Sequence, residues 1–187
     1  MNKESKTTIA NEESMESRLE QILNDALIKA TDTYSVPPQI IWVDNSTIAT
    51  LGNFSASTGK AKAKKTFNVS ALVAASLSNG TVLNYRACLP EGKRRILYVD
   101  TEQSRYHCHN VLARILKLAG LPTDMDNQNL DFIGLREYTP AIRMEVIDYA
   151  LAHNHGYGLV IIDGIRDLLL DINNAGESVE VINKMME

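Results

Sequence analysis

The 187-residue sequence has only two cysteines, Cys88 and Cys108, and they show no paired spacing. That pattern suggests reduced thiols in a cytoplasmic protein rather than a disulfide framework. No run approaches the roughly 18 consecutive apolar residues needed to cross a bilayer, so no membrane partner is expected. The opening Met1-Asn2-Lys3-Glu4-Ser5 is polar and lacks the apolar core of a signal peptide. Positive charge is not in excess either: 19 Lys and Arg stand against 23 Asp and Glu, for a net charge of −4. Any contact with nucleic acid must then be local. What remains is ordinary for a soluble globular chain, 44% hydrophobic and 22% charged. The length suits one α/β domain with a sizeable core and some additional chain.

Residues 1–14 are polar and without aromatics, and the composition predicts disorder there. From Met15 to about Tyr34, Leu19, Ile22, Leu23, Ala26, Leu27 and Ala30 recur at helical spacing, with Ser14 as N-cap and Glu16 in the first turn. Pro37-Pro38 stops that helix and begins an extended segment, Gln39 to Val43, carrying the single tryptophan, Trp42. Residues 15–45 read as an N-terminal arm that covers the core of its own domain or packs on a neighbouring subunit.

Residues 46–187 alternate strand and helix. Ile96–Asp100 is a short apolar strand ending in a carboxylate. A helix from about Ser104 to Leu118 follows, closed by Gly120 and Pro122. Leu130–Leu135 is a weaker strand. Thr139-Pro140 opens a helix whose Ile142, Val146, Tyr149, Ala150 and His153 share a face. Leu159–Asp163 is apolar up to its final acid, as a parallel strand covered on both faces would be, and a last helix is expected from Glu177 to Glu187. Repeated units of this kind imply a parallel sheet with helices on both sides.

Chemistry concentrates at Gly59-Lys60-Ala61-Lys62-Ala63-Lys64-Lys65-Thr66. The phosphate-binding pattern is G-x-x-x-x-G-K-[ST], and this stretch matches it except that Lys64 stands where the second glycine belongs. Before it, Ile48–Ser57 reads as extended; after it, Phe67–Leu77 reads as an apolar helix. Lysines 60, 62, 64 and 65 at a helix N-terminus oppose the helix dipole, each costing about 0.3–1 kcal/mol when exposed. A bound polyanion would reverse that sign, with backbone N–H groups and Lys65 on the phosphates and the Thr66 hydroxyl on Mg²⁺. A solvated lysine turn, or a basic patch facing nucleic acid, would share the composition but not the spacing. Lys64 is tolerable if its φ is negative.

Two acids follow in suitable order. Asp163, at the end of an apolar strand, suits the carboxylate that holds Mg²⁺ through water, although an acid there also serves as a helix cap. Glu102, just beyond the strand ending at Asp100, suits the base that activates water, although it is also an ordinary first-turn glutamate. In open α/β sheets such groups meet at the carboxyl ends of the strands.

With the loop 59–66, Tyr98-Val99-Asp100-Thr101-Glu102 and Val160-Ile161-Ile162-Asp163-Gly164-Ile165-Arg166, the chain resembles the RecA-type P-loop ATPases. It looks closest to the RepA-like hexameric helicases of plasmids and mobile elements. The resemblance spans about residues 46–187 and implies an α/β, parallel-sheet P-loop core with a helical N-terminal arm. It implies ATP and Mg²⁺ as cofactors, Lys65 and Thr66 on phosphate and metal, Asp163 as the Mg-associated acid and Glu102 as the catalytic base. It further implies a homo-oligomeric ring, a hexamer in that branch, acting on single-stranded DNA. The helix opening with Tyr106-His107-Cys108-His109 also looks like this branch; alternate residues on a helix diverge, so these are read as structural rather than as a metal site. Against the family pattern stand Lys64 and an end at Glu187, before the sensor strand, DNA loops and interface arginine. The chain is therefore expected to be an incomplete core, binding ATP but turning it over poorly alone. A degenerate nucleotide-binding scaffold is the main alternative. A small-molecule kinase is disfavoured because Arg94-Arg95 precede a strand and Arg166 stands alone, leaving no lid-like arginine cluster.

Overall fold

A computed structural model describes residues 3–60, 63–169 and the single positions 176, 179 and 183. The chain divides into two compact units, Met1–Val36 and Pro37–Glu187. The first contains helix α1, Lys3–Ala26. It runs through the stretch expected to be disordered and ends at Ala26 rather than near Tyr34. Glu12, Glu13, Glu16, Arg18, Leu19 and Glu20 are good helix formers, and a helix nucleated among them extends outward at little cost. Beyond its end, Asp32 Oδ2 accepts the Lys29 N–H at 2.8 Å and the Tyr34 hydroxyl at 2.9 Å. That local turn competes with further helix. The helix expected over 177–187 falls outside the described residues, apart from positions 179 and 183.

The second unit opens with β1 (Gln39–Val43) and β2 (Ser46–Thr50). With β3 (Thr81–Val82) and β4 (Tyr85–Ala87) they form an antiparallel sheet in the order β2-β1-β4-β3. The expected extended arm is therefore an inner strand of the second unit, and the division falls at Val36/Pro37 instead of after residue 45. The sequence pattern also overextends the strand before the lysine-rich loop. β2 stops at Thr50, Gly52 takes φ +75°, and residues 53–60 form no regular structure. A left-handed glycine turns the backbone away from a strand path.

The parallel sheet comprises β5 (Arg95–Asp100), β6 (Leu130–Gly134) and β7 (Tyr157–Asp163), in the order β6-β5-β7. Around it lie α2 (Lys65–Ser78), α3 (Arg105–Leu118) and α4 (Pro140–His153). Central β5 is apolar on both faces because both are covered. Ile96 and Tyr98 join α2 and α3 through Val73, Ala74, Ala75, Val111 and Ile115. Leu97 and Val99 join Ile147 of α4, Leu135 and Leu168. Each such branched side chain, fully buried, stabilises by about 1.5–3 kcal/mol. Small residues on α2 let it share one core with both sheets, since Ile40, Ile41 and Ala87 belong to the same cluster. Among the described residues β7 has a strand neighbour on one side only, and Val160 is exposed, unlike the doubly covered strand expected. Gly158 is required by close approach: a Cβ there would stand 1.9 Å from the Lys93 carbonyl oxygen.

The inward face of α4 matches the expected one only in part. Val146 and Ala150 pack inward as expected, with Met144 beside buried Ile147, while Ile142 and Tyr149 are exposed. Arg143 explains the rotation, because its guanidinium donates to the carbonyls of Leu135, Arg136 and Asp167. That reach fixes which side of the helix faces the loops after β6 and β7.

Helix α2 ends at Asn79 in the left-handed conformation, φ 49° and ψ 46°, and the Asn79 side chain accepts the N–H of buried Leu89. Asn79→Ala is expected to destabilise the fold by about 2–3 kcal/mol through left-handed strain and an unpaired buried N–H. Asn79→Gly, which keeps the backbone but loses the side-chain bond, is expected to cost about half that. Urea unfolding of both variants measures the difference.

Candidate functional site

The lysine-rich loop leads directly into α2. Ala63 N–H donates to the Lys60 carbonyl at 3.2 Å, and Phe67 and Asn68 N–H donate to the Lys64 carbonyl at 3.0 and 3.2 Å. Ala61 and Lys62 lie outside the described residues. A Cβ on Gly59 would sit 3.5 Å from Ala63 Cβ and from the aliphatic stem of Lys65, so the loop closes back on its own lysine. Lys60, Ala63, Lys64 and Lys65 are exposed and Thr66 is half-buried. Helix α2 begins with no side-chain cap and no acidic residue in its first turn, so no acid of the helix itself balances the positive end of its dipole.

Lys64 departs from expectation. Its φ of 56° and ψ of 29° place it in the left-handed region, not at the negative φ that would make a lysine innocuous. The loop thus keeps the backbone form that a glycine would supply, with a side chain attached. A non-glycine residue held there costs about 1–2 kcal/mol.

Strand pairing brings the acids to the same edge. Asp100 of β5 pairs laterally with Asp163 of β7, both at the carboxyl ends of their strands. Their roles separate by partners. Asp100 is fully buried and accepts the N–H groups of Glu102 and Gln103 and the Gln103 side-chain amide, so it fixes the turn into α3. Asp163 Oδ2 instead accepts the Tyr98 hydroxyl at 3.1 Å and the Thr66 hydroxyl at 3.4 Å. Thr66 and Asp163, far apart in sequence, are therefore neighbours across the mouth of α2.

Glu102 lies in the turn after β5 and is exposed at the surface of this cluster. Partial desolvation, then the charges of Asp163 and Asp167, raise its carboxyl above the ordinary carboxylate range; Lys65 opposes the rise and Asp100 adds to it. Lys65, Glu102, Asp163 and Asp167 thus share one field. Asp167, in the 3₁₀ turn Ile165–Leu168, carried no sequence signal for a role. The Thr101 hydroxyl lies 3.1 Å from its Oδ2, 2.8 Å from the Gly164 carbonyl and 3.1 Å from the Asp163 carbonyl. Gly164 takes φ +99°, and a Cβ there would stand 2.2 Å from Thr101 Oγ1 and 2.7 Å from Glu102 Cγ. Only glycine lets the chain leave β7 so close to Glu102.

His107 and His109 are exposed while Cys108 is buried, its thiol pushed up to about 11 chiefly by burial. The Cys108 thiol faces the turn that Asp100 fixes, 3.6 Å from the Gln103 carbonyl oxygen.

The donor set fits a phosphate chain with a hard divalent cation. It offers a lysine and an uncapped helix N-terminus to the anion, and a hydroxyl and a carboxylate within 3.4 Å of each other to the cation. A parallel sheet whose carboxyl edge faces such a loop is the arrangement of the P-loop ATPases. The AAA domain family matches residues 16–185, and the chain belongs to that family. No curated protein and no solved structure matches the sequence.

Lys64→Gly is expected to stabilise the protein by about 1 kcal/mol, by removing left-handed strain and one cation from the helix N-terminus. Lys64→Ala keeps the strain and is expected to gain less. Urea unfolding of the three proteins side by side measures both effects.

Proposed function

We propose that the chain binds ATP with Mg²⁺ between the loop 59–66 and Asp163, and hydrolyses it as the motor core of a RepA-like, RecA-type ring. The supporting observation is the approach of Thr66 to Asp163 at the mouth of α2, with Glu102 in the same field. Lys65 would neutralise phosphate charge together with the α2 N-terminus. Thr66 and Asp163 would hold the cation, and bound Mg²⁺ supplies charge stabilisation across the outer phosphates. Glu102 would take the proton of the attacking water, and its raised proton affinity suits a base. Action on single-stranded DNA, a plasmid or mobile-element setting and a hexameric ring rest on the likeness of the three motifs to that helicase branch. A cytoplasmic location accords with the absence of any described helix long and apolar enough to cross a membrane.

A second reading, a nucleotide-binding scaffold without turnover, is favoured by one observation. Lys64 places a strained cation where the loop must approach the phosphates. The two readings diverge at Glu102.

Lys65→Ala is expected to weaken ATP binding about 30-fold, the loss of one charged hydrogen bond worth about 2 kcal/mol. Glu102→Gln is expected to retain binding and lower hydrolysis about 10²- to 10⁴-fold. Binding follows from fluorescent-nucleotide titration and hydrolysis from phosphate release with and without single-stranded DNA. Unchanged binding in the lysine variant contradicts the site; an unchanged, negligible rate in the glutamate variant selects the scaffold.

A further inference from the structure

Tyr98 sits in the middle of β5, fully buried, with its ring stacked on Phe132 at 4.4 Å between centroids and 8° between planes. A phenylalanine would pack in this core equally well. The hydroxyl therefore needs its own explanation, because a buried O–H requires a partner. It finds one at the catalytic edge: Ile161 and Asp163 follow each other on one face of β7, and Tyr98, opposite Ile161, reaches diagonally to Asp163 Oδ2 at 3.1 Å.

Asp163 has two hydroxyl donors of different kinds. Thr66, at 3.4 Å, lies at the first turn of α2 and belongs to the loop machinery. Tyr98 comes from the central strand and is immobilised by the ring stack. The Thr66 oxygen can bind a cation through a lone pair and still donate its proton to the acid, so Tyr98 is a second donor, at a shorter distance and from a different element.

We propose that Tyr98 is a positioning residue for the Mg²⁺ site, its hydroxyl holding the Asp163 carboxylate in place from the central strand. This rests on the reading of Asp163 as the Mg-associated acid. Outer-shell hydrogen bonds of this type typically account for about 10- to 100-fold in metal affinity.

The test titrates Mg²⁺ into the full chain at fixed fluorescent ATP analogue, with parallel nucleotide titrations in EDTA. In Tyr98→Phe the Mg²⁺ half-point is expected to rise about tenfold, while nucleotide affinity in EDTA stays at the wild-type value. Phe132→Leu loosens the same core but keeps the hydroxyl, and is expected to keep the wild-type half-point. The proposal is overturned if Tyr98→Phe titrates like wild type, if its affinity falls equally with and without Mg²⁺, or if Phe132→Leu shifts the half-point as far. Asp163→Asn separates the two levels. A wild type with no Mg²⁺-dependent binding, or an Asp163→Asn variant that titrates like wild type, overturns the site reading and this proposal with it. A weakened Asp163→Asn beside an unaltered Tyr98→Phe overturns the tyrosine's role alone.

Discussion

The carboxyl end of β7 is the point on which the other parts of the site depend. The Asp163 side chain joins Thr66 of α2 to Tyr98 of β5, and its carbonyl accepts the Thr101 N–H at 3.1 Å. One residue therefore fixes the relation of a helix and two strands. Gly164 then turns the chain away in a conformation no other residue adopts without strain, placing Asp167 beside Thr101. Arg143 closes the arrangement from the other side of the sheet by binding the carbonyls of Leu135, Arg136 and Asp167. The opposite end of the sheet is held differently, by the partly exposed Arg95–Asp131 pair at 2.6 Å with Tyr157 on the same carboxylate oxygen. Such a pair contributes about 1 kcal/mol or less, so it aligns strand starts without the polar concentration of the other edge.

Lys64 shows how a loop can keep a motif's backbone while changing its residue. The left-handed turn that opens α2 survives the loss of glycine, and the cost is local strain plus another positive charge at a helix N-terminus. Both burdens fall on the same few atoms, and an anion there relieves the charge but not the strain. Binding and rapid turnover can therefore separate at this position, which is why Glu102 decides between the motor and scaffold readings.

Much of the parallel sheet was legible because it obeys local rules. The strands ending at Asp100 and Asp163 are apolar runs, and α3 ends where Gly120 says it must. Thr139-Pro140 marks the start of α4, where the Thr139 hydroxyl accepts the Ile142 N–H at 3.5 Å. The antiparallel sheet was legible only in part: Gln39–Val43 and the start of the run from Ile48 read as extended, but not the pairing that joins them to two further strands. β3 and β4 are two and three residues long, joined through Leu83 at φ 54°, a turn position where glycine or asparagine would have been the signal. The α4 face was misjudged at Ile142 and Tyr149 because Arg143, a polar residue, turns the helix. Lys65 and Thr66 were singled out by the loop pattern and Glu102 and Asp163 by the strand ends before them, and the structure puts Thr66 beside Asp163 with Lys65 and Glu102 in the same field. Tyr98, Thr101 and Asp167 were given no role, since their parts depend on lateral strand pairing between distant segments. The φ of Lys64 was likewise invisible, because sequence gives the residue but not the backbone region it occupies.

The central claim is that a divalent cation and a nucleotide meet at Thr66 and Asp163. Its most direct test is NMR of the protein with ATP and trace Mn²⁺ in place of Mg²⁺, which broadens resonances near the metal. The account predicts selective loss of signals from Thr66, Glu102 and Asp163, with Arg95, Asp131 and Tyr157 unaffected. Broadening centred on the latter group, or none that depends on nucleotide, would contradict it.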